Sequence, residues 1–230
     1  MTIADQIISE LKSMASPTNV AGMARFGISP KSTLGIPIPA LRAIAKVNKN
    51  NHDLAIELWV SGIHEARILA SLVDDPKKVT LAQMEDWTTE FDSWDVCDQV
   101  CSNLWDKTPH AFDKGIEWTR RDEEFVKRAG FVLMARSAVG GKKTSDPTRT
   151  AVIFNEILNG ATDKRNFVKK AINWALRQIG KRSLDLNRQA IATAEKIALI
   201  DNSAARWIAA DALRELKSEA VQQRLTSRAQ

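Results

Sequence analysis

The chain has 230 residues, 44% of them hydrophobic and 27% charged, which fits a globular protein with one sizeable core or two small ones. No apolar run reaches the length of a membrane span, and Met1-Thr2-Ile3-Ala4-Asp5 has no charged segment followed by an apolar one, so neither a membrane helix nor a signal peptide is expected. Cys97 and Cys101 are the only cysteines and lie four apart on one predicted helix, which is neither a disulfide framework nor a metal site, so a reducing, cytoplasmic setting is expected.

Apolar residues recur at three and four along the whole chain, and no alternating strand pattern persists. Helices are predicted over 3–14, 39–48, 52–60, 64–73, 80–90, 93–107, 109–119, 123–138, 147–159, 164–180, 185–199 and 203–217, with a short one within 17–27. Pro109 after Thr108 reads as a helix start with Thr108 as N-cap, and Asp146-Pro147 repeats the device. Gly160 and Gly180 mark helix ends. The longest loops are 27–38, which holds Gly35-Ile36-Pro37-Ile38-Pro39, and 139–146.

A weak repeat is present. Phe125-Val126-Lys127-Arg128-Ala129 matches Phe167-Val168-Lys169-Lys170-Ala171 at an offset of 42 residues, with looser copies at Glu65-Ala66-Arg67-Ile68 and Ala205-Arg206-Trp207-Ile208. A period near 40 built from helix pairs points to an all-α, HEAT-like α-solenoid forming a single domain over 1–230. In such a stack the second helix of each pair lines the concave face. Here those helices begin with cations: Arg67, Lys127 and Arg128, Lys169 and Lys170, and Arg206. Cations at a helix start oppose the macrodipole, so a basic concave face is expected to have a use. Solvated lysines are the alternative at each position.

The net charge of +5 is unevenly placed. Residues 1–115 carry 11 Lys+Arg and 15 Asp+Glu, and residues 116–230 carry 22 and 13. The basic half suits a polyanion, with nucleic acid first, or is simply a solvated basic surface. The stretch 74–106 has nine acids against two lysines, which is awkward for a DNA surface unless it faces outward.

Seven Trp and no Tyr supply rigid apolar platforms without phenol chemistry. Trp94, Asp98, Cys101 and Trp105 share one helical face, placing a carboxylate between indoles, while Val96, Cys97, Val100 and Leu104 form a separate apolar face. Such an acid can stabilise a transient cation; equally, Asp92, Asp95 and Asp98 suit a helix start. On helix 164–180, Trp174 lies beside the packing face, with Lys170 before it and Arg177 after it. That arrangement fits stacking or sugar contact beside a phosphate backbone, or a partly buried core Trp. His52, His64 and His110 are scattered, so no metal site is expected, and no nucleotide-binding loop or hydrolase elbow occurs.

Phe91-Asp92-Ser93-Trp94-Asp95-Val96-Cys97-Asp98, the Phe125–Ala129 segment and Asn166-Phe167-Val168-Lys169-Lys170-Ala171-Ile172-Asn173-Trp174-Ala175-Leu176-Arg177 resemble the DNA alkylation-repair family of AlkD-like glycosylases. Leu34-Gly35-Ile36-Pro37-Ile38-Pro39-Ala40-Leu41-Arg42 resembles the family's early loop-to-helix motif, and the similarity spans roughly 20–216. The resemblance implies a HEAT-like solenoid holding duplex DNA on a basic concave face. It also implies a metal-free, cofactor-free, monomeric glycosylase that excises cationic N3- and N7-alkylated purines. By resemblance Asp98 takes the place of the catalytic carboxylate, Trp94 and Trp174 those of the indoles beside the lesion's deoxyribose, and Arg128 that of a backbone-contacting arginine. Lys127, Lys169, Lys170, Arg177 and Arg206 are the further expected backbone contacts. The characterised enzymes have a Trp-Trp doublet where this chain has Ser93-Trp94. The alternative is a non-catalytic HEAT-like module binding DNA structure or a protein partner.

Overall fold

The computed structural model describes residues 2–139 and 146–229, so the loop expected over 139–146 lies largely outside the described residues. Every regular element among them is helical, in keeping with the all-α expectation. The chain packs as two compact units, Met1–His110 and Ala111–Gln230.

The first unit contains α1 (Ile3–Ser13), α2 (Pro17–Ala24), α3 (Ile38–Val47), α4 (His52–Val60), α5 (His64–Val73), α6 (Leu81–Thr89) and α7 (Trp94–Asn103), then a short 3₁₀ turn, Trp105–Lys107. Side-chain oxygens cap the orphan amides at the helix starts: Thr2 for α1, Ser16 for α2, Asn51 for α4 and Thr80 for α6. α5 packs against α3, α4 and α7 and is the central helix of the unit.

The helix expected over 93–107 breaks at Leu104, because Trp105 is fully buried. Its Nε1 donates to Thr88 Oγ1 at 3.2 Å, and its ring lies 5.5 Å from that of Trp87. Trp87 in turn stacks on Trp59 at 4.1 Å. Trp105 and the fully buried Cys101 are therefore core residues, and no indole follows Asp98 on the open face of α7. Thr108 is not an N-cap. It is buried and donates to the Trp105 carbonyl at 2.8 Å, and the next helix begins only at Ala111.

The second unit contains α8 (Ala111–Thr119), α9 (Glu124–Val139), α10 (Pro147–Gly160), α11 (Asn166–Gly180), α12 (Leu184–Ala198), α13 (Ser203–Leu216) and α14 (Glu219–Ala229). Asp146 caps α10 ahead of Pro147, as the sequence indicates. α8 pairs with α9, α10 with α11 and α12 with α13, while α11 packs between α9 and α13. The repeated segments occupy equivalent places. Phe125 and Phe167 are each the second residue of a helix, and their rings meet at 5.7 Å. Val126, Val168 and Ile208 are all buried. At the α8–α9 crossing a Cβ on Gly130 would stand 2.5 Å from the Thr119 nitrogen, so this approach requires glycine. Helix α14 was not anticipated. It is mostly polar, and among its described side chains Val221 and Leu225, four apart, give it a buried edge.

One buried acid organises the first unit. Glu65 is 1% exposed and accepts from the backbone nitrogens of Leu34 at 2.8 Å, Gly35 at 2.6 Å and Ile36 at 3.3 Å. Gly35 takes φ +79°, and a Cβ there would lie 2.5 Å from the Ser16 carbonyl oxygen. The clamp thus explains the Leu34-Gly35-Ile36 motif: a tight turn held by an acid from α5. Glu65→Ala strands these amides and is expected to destabilise the protein by about 3 kcal/mol or more. Denaturant melts measure the loss, and amide exchange at residues 34–36 is expected to accelerate beyond that of the rest of the unit.

Candidate nucleic-acid site

Trp94 and Asp98 stand one turn apart on α7, both half-buried, beside a face of Val96, Cys97, Val100 and Leu104 with no exposed surface. The Trp94 Nε1 donates to the Phe26 carbonyl at 3.0 Å. This bond fixes the ring by its edge.

The residue that anchors this helix start was not found by sequence reasoning. His64, 5% exposed at the first position of α5, places its Nε2 at 2.8 Å from the Asp95 carboxylate, next to Trp94. Burial lowers the His64 pKa, but the Asp95 hydrogen bond and charge outweigh it and hold the imidazole above 6.5. Burial likewise raises the Asp95 carboxyl, and the His64 hydrogen bond and charge bring it below 3.8. The sequence shows both residues, 31 apart, but only a fold that packs α5 on α7 makes them partners.

The other acids of 74–106 are partly used in the same way. Asp74 accepts from Gln83 at 2.7 Å and meets His52 at 2.7 Å, and burial still pushes its carboxyl above 3.8. Glu90 accepts from Arg67 at 2.6 Å and from the Trp59 indole at 3.1 Å.

In the second unit the basic candidates separate into two groups. Arg128 is 7% exposed and donates to the Phe167 carbonyl at 2.6 Å, tying α9 to α11. Lys127 pairs with Asp163 at 3.4 Å. Arg177 pairs with Asp211 at 2.7 Å and also with Glu215, tying α11 to α13. These side chains hold helices together. Lys170 and Arg206 are exposed, although Arg206 meets Asp201 at 2.7 Å. Lys169 lies over the Trp207 ring at 5.1 Å. Trp174 is half-buried, and among the described residues its ring has no hydrogen-bond or ring partner. Among the described residues no cluster of three or more His, Cys, Asp or Glu is placed to hold a metal, and no helix is long and apolar enough to cross a membrane.

The His64–Asp95 pair sets a pH dependence. A raised His64 pKa contributes stability that is complete below about 6.5 and is lost as pH rises through its higher folded value; Asp95 contributes above its ordinary range and fails only in acid. His64→Gln is therefore expected to lower stability most between about pH 5 and 6, by about 1.5–3 kcal/mol. The gap to wild type is expected to narrow in alkali; thermal melts across pH measure it, and a pH-independent gap contradicts the pairing.

The comparisons with known proteins agree with this architecture. The family model described as "DNA alkylation repair enzyme" matches residues 7–216. An uncharacterised Listeria innocua protein, Lin0241, is 24% identical over 86% of this chain and 96% of its own length. Lmo0209, an uncharacterised Listeria monocytogenes protein, is 26% identical over 56% of this chain and 59% of its own. A solved structure, reported as "a new family of proteins related to the HEAT-like repeat DNA glycosylases with affinity for branched DNA structures", superposes with a TM-score of 0.80 at 17% identity, covering 97% of this chain and 96% of that one. The fold is HEAT-like, and with the family model spanning nearly the whole sequence, this chain belongs to the DNA alkylation repair enzyme family.

Proposed function

We propose that the protein is a metal-free DNA glycosylase that releases cationic N3- and N7-alkylated purines from duplex DNA. The observation that carries this reading is the pairing of Trp94 and Asp98 on one turn of α7, a half-buried acid beside an indole whose edge is fixed. An alkylated purine already bears a positive charge, so its departure requires no general acid. The C1′–N bond breaks, its electron pair neutralises the purine, and an oxocarbenium-like sugar remains. Asp98 offsets that charge and orients the water that adds to C1′ as a proton leaves. Trp94, one turn from Asp98, contributes its indole to contacts with electron-poor sugar C–H groups. Lys170 and Arg206 are the phosphate contacts, with Lys169 beside them on α11.

Single-turnover base release from duplexes bearing N7-methylguanine or N3-methyladenine tests the assignment. Asp98→Asn is expected to slow release by roughly a hundredfold or more while DNA affinity holds or rises slightly. Undiminished release in a folded Asp98→Asn variant overturns it. A second reading, non-catalytic binding of DNA structure, is supported by the solved relative with affinity for branched DNA that covers 97% of this chain. Absence of release by the wild type, with tighter binding to a four-way junction than to a duplex, favours that reading.

The phosphate contacts give a separate expectation. Lys170→Ala and Arg206→Ala are expected to weaken binding to unrelated duplexes alike, each reducing the salt slope by about 1, with little change in thermal stability. Arg128→Ala is expected to destabilise the fold by about 1.5–3 kcal/mol, because its carbonyl partner loses a charged donor. Salt-dependent binding of the three variants, read beside their melts, separates contact from scaffold.

A further inference from the structure

Four of the seven indoles are buried and Trp94 and Trp174 are half-buried, whereas Trp207 of α13 is 39% exposed. Its neighbour Ile208 is buried and anchors the helix, so packing does not account for Trp207. Along the same stripe of α13 lie Ser203, four before it, and Ala210, three after it, both small and exposed, so the ring stands above the surface. Lys169 of α11 places its Nζ over this ring at 5.1 Å. A further bond joins the two helix starts: Asn202 caps α13 and donates its Nδ2 to the Thr162 carbonyl, in the turn ahead of α11, at 3.3 Å. Lys170 and Arg206, exposed cations next to the pair in sequence, complete the patch. The nearest acids in sequence are engaged, Asp201 by Arg206 at 2.7 Å, and Asp211 by Arg177 at 2.7 Å and by Arg214.

We propose that Lys169 and Trp207 form one composite contact for an undamaged nucleotide of duplex DNA, its phosphate at the Lys169 ammonium and its deoxyribose against the exposed part of the indole. The inference rests on the DNA reading above and adds to it a contact that is not ionic. A nucleic-acid strand alternates a charge with a largely apolar sugar edge, and a cation held over an indole presents the matching chemistries side by side. Sugar and phosphate are the same at every base pair, so the contact reads no sequence and requires no base to leave the stack. A purely ionic partner such as an acidic peptide engages the lysine and leaves the ring idle. The two halves also respond differently to salt. Counterion release makes the phosphate contact weaken as salt rises, whereas burial of the indole against sugar C–H groups depends on apolar area and is not screened.

Binding of a blunt, undamaged duplex, measured across a range of salt concentrations, tests this. Trp207→Ala, at an exposed position, is expected to fold as the wild type does and to bind about tenfold more weakly at every salt concentration, with the salt slope unchanged. Trp207→Phe is expected to keep most of the affinity, because it keeps an aromatic ring. Lys169→Ala is expected to reduce the slope by about 1. Quenching by acrylamide, which is neutral, gives a reading that stands even if Trp207→Ala fails to fold. The fluorescence that the wild type loses to acrylamide and Trp207→Phe does not is expected to be protected in the duplex-bound protein. Wild-type affinity in folded Trp207→Ala overturns the inference, as does unprotected fluorescence in the complex. A slope change in Trp207→Ala equal to that of Lys169→Ala also overturns it, because the ring then serves only to hold the lysine. Failure of the wild type to bind the duplex overturns the DNA reading itself.

Discussion

A carboxylate removed from water needs donors. Glu65 finds three in consecutive backbone amides of the turn that leads into α3. Its neighbour His64 reaches the other way, to Asp95 at the start of α7. Two adjacent residues at the head of α5 therefore fix both the turn and the helix that carries Trp94 and Asp98. Trp94 closes the circuit by donating to the Phe26 carbonyl, in the loop between α2 and that turn. The geometry of the candidate site follows from the register of α5, because a slip of one residue would put Glu65 where His64 stands and Ala66 where Glu65 stands, losing both ties.

The same division of labour runs through the charges. Acids of 74–106, awkward for a DNA surface by their number, are partly engaged by neighbours: Asp74 by His52 and Gln83 and Asp95 by His64 in the interior, and Glu90 by Arg67 and Trp59 at the surface. Basic residues of the second unit are likewise divided. Arg128 and Arg177 join neighbouring helices, whereas Lys170 and Arg206 face solvent. A run of like charge in a sequence is thus a poor measure of surface potential until its members are placed.

The helical class, most helix limits and the repeat of Phe125–Ala129 in Phe167–Ala171 were legible because they rest on local periodicity and on helix-end chemistry. Asp146 ahead of Pro147 caps α10 by a local rule, and the structure follows it. Thr108 ahead of Pro109 satisfies the same rule and fails, because burying Trp105 takes that stretch out of the helical line. Periodicity likewise placed Trp105 and Cys101 on a face with Asp98, which the break at Leu104 and the closeness of the packing undo. Trp94 and Asp98 were legible as a pair one turn apart. His64 and Glu65 were not, since their partners lie 31 and about 30 residues away and no local pattern joins them.

Many of the ties described end on the main chain. Arg128 donates to the carbonyl of residue 167, Trp94 to that of residue 26, Asn173 to that of residue 208, and Glu65 accepts from three amides. A peptide carbonyl or amide is present whatever side chain its residue carries. Each such tie therefore depends on the identity of one partner only, and drift at the other leaves it intact. A scaffold linked in this manner tolerates wide substitution without losing its helix arrangement, which gives a physical reason for a shared architecture at 17% identity.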